Sequence, residues 1–365
     1  MTLDERLKRL IASVSPIDYF IEKEVQAHLD DLTKPKGSLG RLEELVKQYI
    51  LITGELAPAI PKKAIFVFAG DHGVTEEGIS AFPKEVTYQM VYNFLNGGAG
   101  INVLARHAGA DVFVVDAGVD FDFDDVPGLL IKKVARGTAN MTRGPAMTRD
   151  EAITGILNGA ILAQEAIDNG YGILATGEMG IGNTTPSSAV TSVLTGKLPE
   201  DVTGRGTGID DEALKKKIQV IKKAVELNRP NPSDAIDVLS KVGGHEISAI
   251  CGLILGCAAN KRPVVVDGFI STAGALIAKS ICPTSREYMF ASHMSVEQGH
   301  RAQIGAMGLR PILDLDLRLG EGTGAALAMT IIDASIKIYG EMATFSGARV
   351  TVGNERERNQ RPLVS

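Results

Sequence analysis

A mostly parallel α/β sheet flanked by helices, with a smaller helical domain, is the fold class that three features of this 365-residue chain predict. Short apolar runs with the length of buried parallel strands recur along it. Each is separated from the next by enough chain for a crossover, and helical patterns fill the intervals. The expected arrangement is Rossmann-like.

The chain opens with MTLDERLKRLIASV, whose charges alternate with apolar residues as in an amphipathic helix, and its first sixty residues hold helical patterns without a convincing strand. Strand-like runs follow at AIFVFA (64–69), DVFVVD (111–116), YGILAT (171–176) and PVVVD (263–267), with weaker ones at LLIKKV (129–134) and EYMFAS (287–292). Between them stand EAITGILNGAILAQEAIDNG (151–170) and EALKKKIQVIKKAVELN (212–228), the second closed by the helix-stopping RPNPSD. A further helix is expected over 323–342. The predicted domains are a parallel α/β catalytic domain over 62–310, a small helical domain from 1–61 plus 311–345, and a polar tail over 346–365.

Hydrophobic residues at 44%, charged residues at 22%, 40 Gly and 15 Pro are ordinary globular composition and exclude collagen-like, disordered and disulfide-scaffold classes. With 38 Lys and Arg against 44 Asp and Glu, the formal charge of -6 argues against nucleic acid or anionic membrane as a partner, so a bound phosphate must be held locally. Three Cys cannot all pair, and Cys251 and Cys257 lie in the apolar run CGLILGCAA, which fits a reducing, cytoplasmic compartment. No run approaches the ~18 apolar residues of a membrane span, and an exported or anchored protein is not expected. The six His show no metal-ligand spacing, there is no CxxC pair, and no metal or cofactor is expected. Neither a P-loop nor a GxSxG elbow is present.

In open parallel sheets ligands bind beyond the carboxyl ends of the strands. The residues just past these runs are Asp71 and His72 in GDHGV, Asp116, Glu178 in GEMGIGNTT, Asp267 before GF, and His293 with Ser295 in SHMS. The turn over 177–183 has three Gly and opens a helix; it reads either as a phosphate-binding turn or as a tight turn without a ligand. Lys215, Lys216 and Lys217 supply a counter-charge to such a phosphate or form a solvated face. In RLGEGTGAALA (318–328), Glu321 is either a complement to the positive end of the next helix or a catalytic base on a glycine turn. Spacing alone leaves each pair of readings open.

Taken together and in order, KPKGSLGRLEEL (34–45), AGDHGVTEEGIS (69–80), PKEVTYQMV (83–91), ATGEMGIGNTTPSSA (175–189), NPSDAIDVLSKVGG (231–244), PVVVDGFIS (263–271), SHMSVEQGH (292–300) and RLGEGTGAALAM (318–329) resemble the motif set of the nicotinate-nucleotide:dimethylbenzimidazole phosphoribosyltransferases. The resemblance implies transfer of phosphoribose from nicotinate mononucleotide to 5,6-dimethylbenzimidazole, giving α-ribazole 5′-phosphate for the lower ligand of cobalamin. It also implies a homodimer acting on these two small molecules. Glu321 is then the general base, Glu178 and Gly180 the ribose and phosphate contacts, Lys217, Gly268 and Ser295 the rest of the phosphate cradle, and Asp267 an organiser of its turn. Ser80, Phe82, Gln89 and Met90, with Tyr88, are the residues it assigns to the acceptor pocket; Phe82 stands where some members have Ser. The alternatives are transfer to another benzimidazole, purine or phenol, or a non-catalytic nucleotide-binding homologue. A phosphoribosyl-pyrophosphate enzyme is disfavoured, because no acidic pair follows a strand.

Overall fold

The computed structural model describes residues 1–206, 208–348 and 350. It divides into two compact units, one formed by residues 1–17 and 61–331, the other by 18–60 and 332 onward.

The larger unit is built on a six-stranded, all-parallel sheet. Its strands are β1 (Lys62–Gly70), β2 (Ala110–Gly118), β3 (Leu129–Ile131), β4 (Tyr171–Met179), β5 (Val264–Val266) and β6 (Met289–Ala291), in spatial order β3-β2-β1-β4-β5-β6. Every apolar run identified in the sequence forms a strand, as expected for segments buried on both faces. After Lys62, β1 is buried throughout. The two weak runs form three residues of strand each. In 129–134 the backbone stays beside β2 beyond Ile131, Lys132 N donating to Asp116 O (2.9 Å) and Val134 N to Ala117 O (3.0 Å), and the Lys133 ammonium pairs with Asp116 at 3.2 Å. The chain winds outward from β1 through β2 to β3, then returns to β1's other side at β4. Strand order therefore reverses between β1 and β4, where an open sheet leaves a crevice at its carboxyl edge.

The helix Arg149–Asp168 packs along His245–Ala259, and both contribute Ile and Leu side chains to the core. Gly159 and Gly252 set their separation, since a β-carbon on either would overlap the backbone of the other helix, at Ala249 O or Ile156 O respectively. Cys251 and Cys257 are buried in the same helix as unpaired thiols.

The unit boundaries differ from the division expected from sequence at 61 and 311. Helix Leu3–Ser13 belongs with the sheet: Leu7 is buried in its core, Ile17 N donates to Glu287 (2.8 Å), and Tyr288 donates to Ser15 O (2.7 Å). Residues 311–331 also stay with it, through the parallel bridge His293↔Leu313 and through Asp267, described below. An amphipathic pattern says that a face is buried, not against which partner.

In the smaller unit, Val25, Leu29, Leu45, Val46 and Ile50 are the buried faces of helices Glu22–Asp31 and Arg41–Thr53. The KPKGSLG segment is tied there by a buried Lys34–Glu43 ion pair (2.8 Å) and by Leu39 N donating to Glu43 (3.0 Å). Of the polar tail expected over 346–365, residues 346–348 belong to the short helix Phe345–Ala348, and 349 and 351–365 lie outside the described residues.

Candidate active site

The carboxyl ends of β4, β5 and β6 and the segments beside them enclose a cavity of about 480 Å³ within the larger unit. Ser80, Phe82, Met90, Glu178, Gly180, Lys217, Gly268, Ser295 and Glu321 all line it. They come from chain segments up to 241 residues apart, from Ser80 to Glu321, so the sheet edge is what brings them together.

Gln89, expected in the acceptor pocket, does not line the cavity. Val86 and Met90, one turn apart on helix Val86–Leu95, line the cavity, while Gln89 is exposed and outside it. A helix turns 100° per residue, which carries Gln89 off the cavity-facing edge. Tyr88 is likewise absent from the lining and stacks on Phe121 with ring centroids 4.3 Å apart.

Glu321 occupies a rare backbone state. Its φ is 62°, between Gly320 at 84° and Gly322 at 96°, a left-handed run that a non-glycine residue adopts only when its surroundings enforce it. Asp267 enforces it: Oδ2 accepts from Gly322 N (3.1 Å) and Oδ1 from Ala325 N (2.9 Å), capping the helix Thr323–Glu341. Asp267 thus does what a bland reading assigned to Glu321. The Glu321 carboxylate instead accepts from Ile101 N (3.0 Å), in the first turn of helix Gly100–Ala108. Burial raises its pKa above the ordinary 4.5, and the Ile101 hydrogen bond opposes without cancelling. Gly320 has a second reason to be glycine, because a β-carbon there would overlap Glu178 Oε1.

Glu178 lies near the end of β4, opposite Phe68 of β1, at the point of strand-order reversal. Burial pushes its pKa up to about 8, against a hydrogen bond from Asn183 and with Asp267, Glu246 and Glu321 adding negative charge. Asn183 stands at the N-cap of helix Thr184–Thr195 but spends its amide on Glu178, so no side chain caps that helix. The uncapped N-terminus lines the cavity beside Gly180, Ile181 and Gly182, the usual setting for an anion.

Of the three consecutive lysines on helix Asp211–Asn228, Lys215 and Lys216 are exposed and Lys217 is buried. Its Nζ donates to Thr184 Oγ1 (2.6 Å) and more weakly to Gly204 O (3.4 Å). Burial lowers its pKa to about 8, partly offset by the charge of Glu297. Ser295 completes this end: its N–H donates to His300 Nδ1 (2.9 Å), and His300 Nε2 meets Thr272 Oγ1 (3.1 Å). Burial, with His293 nearby, holds His300 neutral at a pKa of about 3, consistent with an unprotonated Nδ1 acceptor.

The first strands' carboxylates do not join the cavity. Asp71 Oδ2 accepts from Asp120 N (2.8 Å), Asp116 from Val119 N (2.9 Å), and His72 pairs with the buried Glu246 at 3.0 Å. Burial is the largest influence on His72 and opposes its charge, but the charge and hydrogen bond of Glu246 together with the charge of Asp71 raise its pKa. Sequence reasoning missed Asn183, Thr184 and Glu297 as lining residues. All three stand inside motifs already recognised, Asn183 and Thr184 in ATGEMGIGNTTPSSA and Glu297 in SHMSVEQGH, but nothing in the spacing singled them out. Among the described residues no group of three His, Cys, Asp or Glu is placed to hold a metal ion, and no helix is long and apolar enough to cross a membrane.

A family profile described as "Phosphoribosyltransferase" matches residues 14–350. The nicotinate-nucleotide–dimethylbenzimidazole phosphoribosyltransferase of Geobacter metallireducens is 60% identical over 350 residues, covering 96% of this chain and 99% of that protein. The enzyme of the same name from Chlorobaculum tepidum is 58% identical over 353 residues, covering 97% of this chain and 100% of that one. Among solved structures, CobT from Thermus thermophilus superposes with a TM-score of 0.88 at 48% identity, covering 91% of this chain and 99% of that chain. With near-complete coverage on both sides and a shared fold, this chain belongs to the nicotinate-nucleotide–dimethylbenzimidazole phosphoribosyltransferase family.

Proposed function

We propose that this protein transfers the 5′-phosphoribosyl group of nicotinate mononucleotide to 5,6-dimethylbenzimidazole, releasing nicotinate and α-ribazole 5′-phosphate. The observation that carries the reading is the convergence, in one cavity, of a carboxylate on an enforced turn with Lys217, Ser295 and two helix starts, at Gly268 and Thr184.

The donor's nicotinate is a pyridinium, so the C1′–N bond breaks with its electron pair returning to a ring that thereby becomes neutral. No acid is needed for departure. One benzimidazole nitrogen forms the new bond to C1′ from the opposite face, inverting that carbon. The N–H on the second nitrogen becomes acidic as positive charge builds, and Glu321 takes that proton. Glu178 holds the ribose, Gly180, Lys217, Gly268 and Ser295 the phosphate, and Ser80, Phe82 and Met90 the flat acceptor, whose face suits an apolar wall. In the same reading two copies assemble into a homodimer in the cytoplasm; light scattering of the purified protein tests the dimer.

The enzyme test is incubation with nicotinate mononucleotide and a panel of benzimidazoles, purines and phenols, following nicotinate and the ribosylated product. The expected result is base-dependent nicotinate release, fastest with dimethylbenzimidazole, and an α-configured product. Release that ignores the base, or a β-configured product, contradicts the proposal.

A further inference from the structure

Glu297 is a buried carboxylate in the cavity wall that none of the roles above uses. It stands at the N-cap of helix Gln298–Met307, and its own N–H donates to Ser295 Oγ (3.3 Å), so it is close in the chain to a proposed phosphate ligand. Oε1 accepts from Gly206 N (3.0 Å), across 91 residues of chain. Oε2 is buried without a hydrogen-bond partner and lies so close to Gly204 that a β-carbon there would overlap it. The Gly204–Gly206 backbone in turn rests on the lysine: Gly204 O faces Lys217 Nζ at 3.4 Å, and a β-carbon on Gly206 would stand 3.2 Å from that Nζ and 2.7 Å from Thr184 Oγ1.

We propose that Glu297 is a positioning residue for the donor phosphate, its carboxylate clamping the Gly204–Gly206 turn onto the Lys217 ammonium and supplying the counter-charge that holds that ammonium in a buried wall. The inference rests on the reading of Lys217 as a phosphate ligand. It has a physical logic. A lysine taken out of water tends to give up its proton, and here that tendency brings its pKa to about 8, with Glu297 the charge that resists it. A side chain that must meet a phosphate as a cation therefore needs a partner that does not occupy the phosphate's place. Glu297 meets that need by approaching through the turn. The groups facing Lys217 are the Thr184 hydroxyl, the Gly204 carbonyl, the Gly206 backbone and Glu297; the other ionisable groups of the lining are Glu178, Glu321, His293 and Arg318, and the neighbouring Lys215 and Lys216 are exposed.

The test is the KM for nicotinate mononucleotide across pH, with dimethylbenzimidazole saturating, for wild type, Glu297→Gln, Glu297→Asp and Lys217→Ala, each with its melting curve. Donor KM in the wild type should turn upward as pH rises through the point where Lys217 loses its proton. Glu297→Gln keeps an oxygen for Gly206 N but not the charge, so its upturn should come lower by ~0.5–1 pH unit. Glu297→Asp keeps the charge at a shorter reach, so its upturn should stay near that of wild type while KM rises severalfold at all pH. Lys217→Ala should raise KM at neutral pH and lose the upturn. An unmoved upturn in Glu297→Gln, or a lowered one in Glu297→Asp, overturns the role of Glu297. A Lys217→Ala enzyme with wild-type KM overturns instead the phosphate site on which the inference rests.

Discussion

At the proposed phosphate end of the cavity the polar groups are held by neighbours, whereas at the proposed acceptor end the walls are apolar and open. Lys217 is seated on Thr184, Ser295 is held through His300 and Thr272, and Asp267 clamps the turn that carries Glu321. Opposite them, Phe82 is 52% exposed and Leu319 60%, and Ser80 Oγ accepts from Phe82 N (3.2 Å) within its own loop. A preorganised cradle suits a substrate that presents the same phosphate every time, because the ordering has been completed before binding. An open apolar wall suits flat bases of varied outline. Under the proposed assignment, the contrast teaches that donor recognition is built into the fold, while acceptor selection rests on a few replaceable side chains.

The largest expected effect lies between the two ends. Glu321→Gln should fold and bind nicotinate mononucleotide with near-native affinity, yet lose ~10²–10⁴-fold in turnover with dimethylbenzimidazole. Calorimetric donor titration beside steady-state kinetics checks both halves, and near-native turnover would remove Glu321 from the chemistry. Because burial raises the Glu321 pKa, the acid limb of the turnover profile should fall at a pH above the ordinary 4.5 of a glutamate, activity being lost as pH drops through it.

Next comes the phosphate end. Lys217→Ala should weaken donor binding roughly 10- to 150-fold, the worth of a charge-assisted hydrogen bond, while Lys215→Ala and Lys216→Ala leave it unchanged. Similar small effects at all three positions would return the lysine run to a solvated face. In the wild type, donor affinity should decline as pH rises past about 8, because the neutral amine no longer pairs with phosphate.

Smaller effects belong to the acceptor end. Phe82→Ala should raise KM for benzimidazoles roughly five- to tenfold, about half the burial energy of a phenyl ring, and leave donor KM alone. A loss confined to the donor would place Phe82 on the wrong side of C1′. Gln89→Ala should change neither constant.

Much of this was legible in the sequence because parallel strands announce themselves. AIFVFA, YGILAT and PVVVD are buried along nearly their whole length and DVFVVD over its carboxyl half, so apolar runs and their carboxyl ends could be read directly, and Glu178, Asp267 and Ser295 followed from position alone. What could not be read is how one element faces another. The helix pattern of PKEVTYQMV does not say which edge meets the cavity, so Gln89 was grouped with Met90. Three consecutive lysines look alike until Thr184, 33 residues away, selects Lys217. Glu297 is one acidic residue at a helix start until Gly206 comes back to meet it. The N-terminal helix showed its apolar face but not the helices Arg149–Asp168 and His245–Ala259 that it packs against.

The central claim is that Glu321 removes a proton from the acceptor, and an acceptor without that proton tests it most directly. Turnover of wild type and Glu321→Gln should be compared on dimethylbenzimidazole and on its N-methylated analogue, which attacks through its remaining ring nitrogen and has no N–H to surrender. The substitution should cost ~10²–10⁴-fold on dimethylbenzimidazole and close to nothing on the methylated base. An equal loss on both would mean that Glu321 serves binding or structure rather than proton transfer.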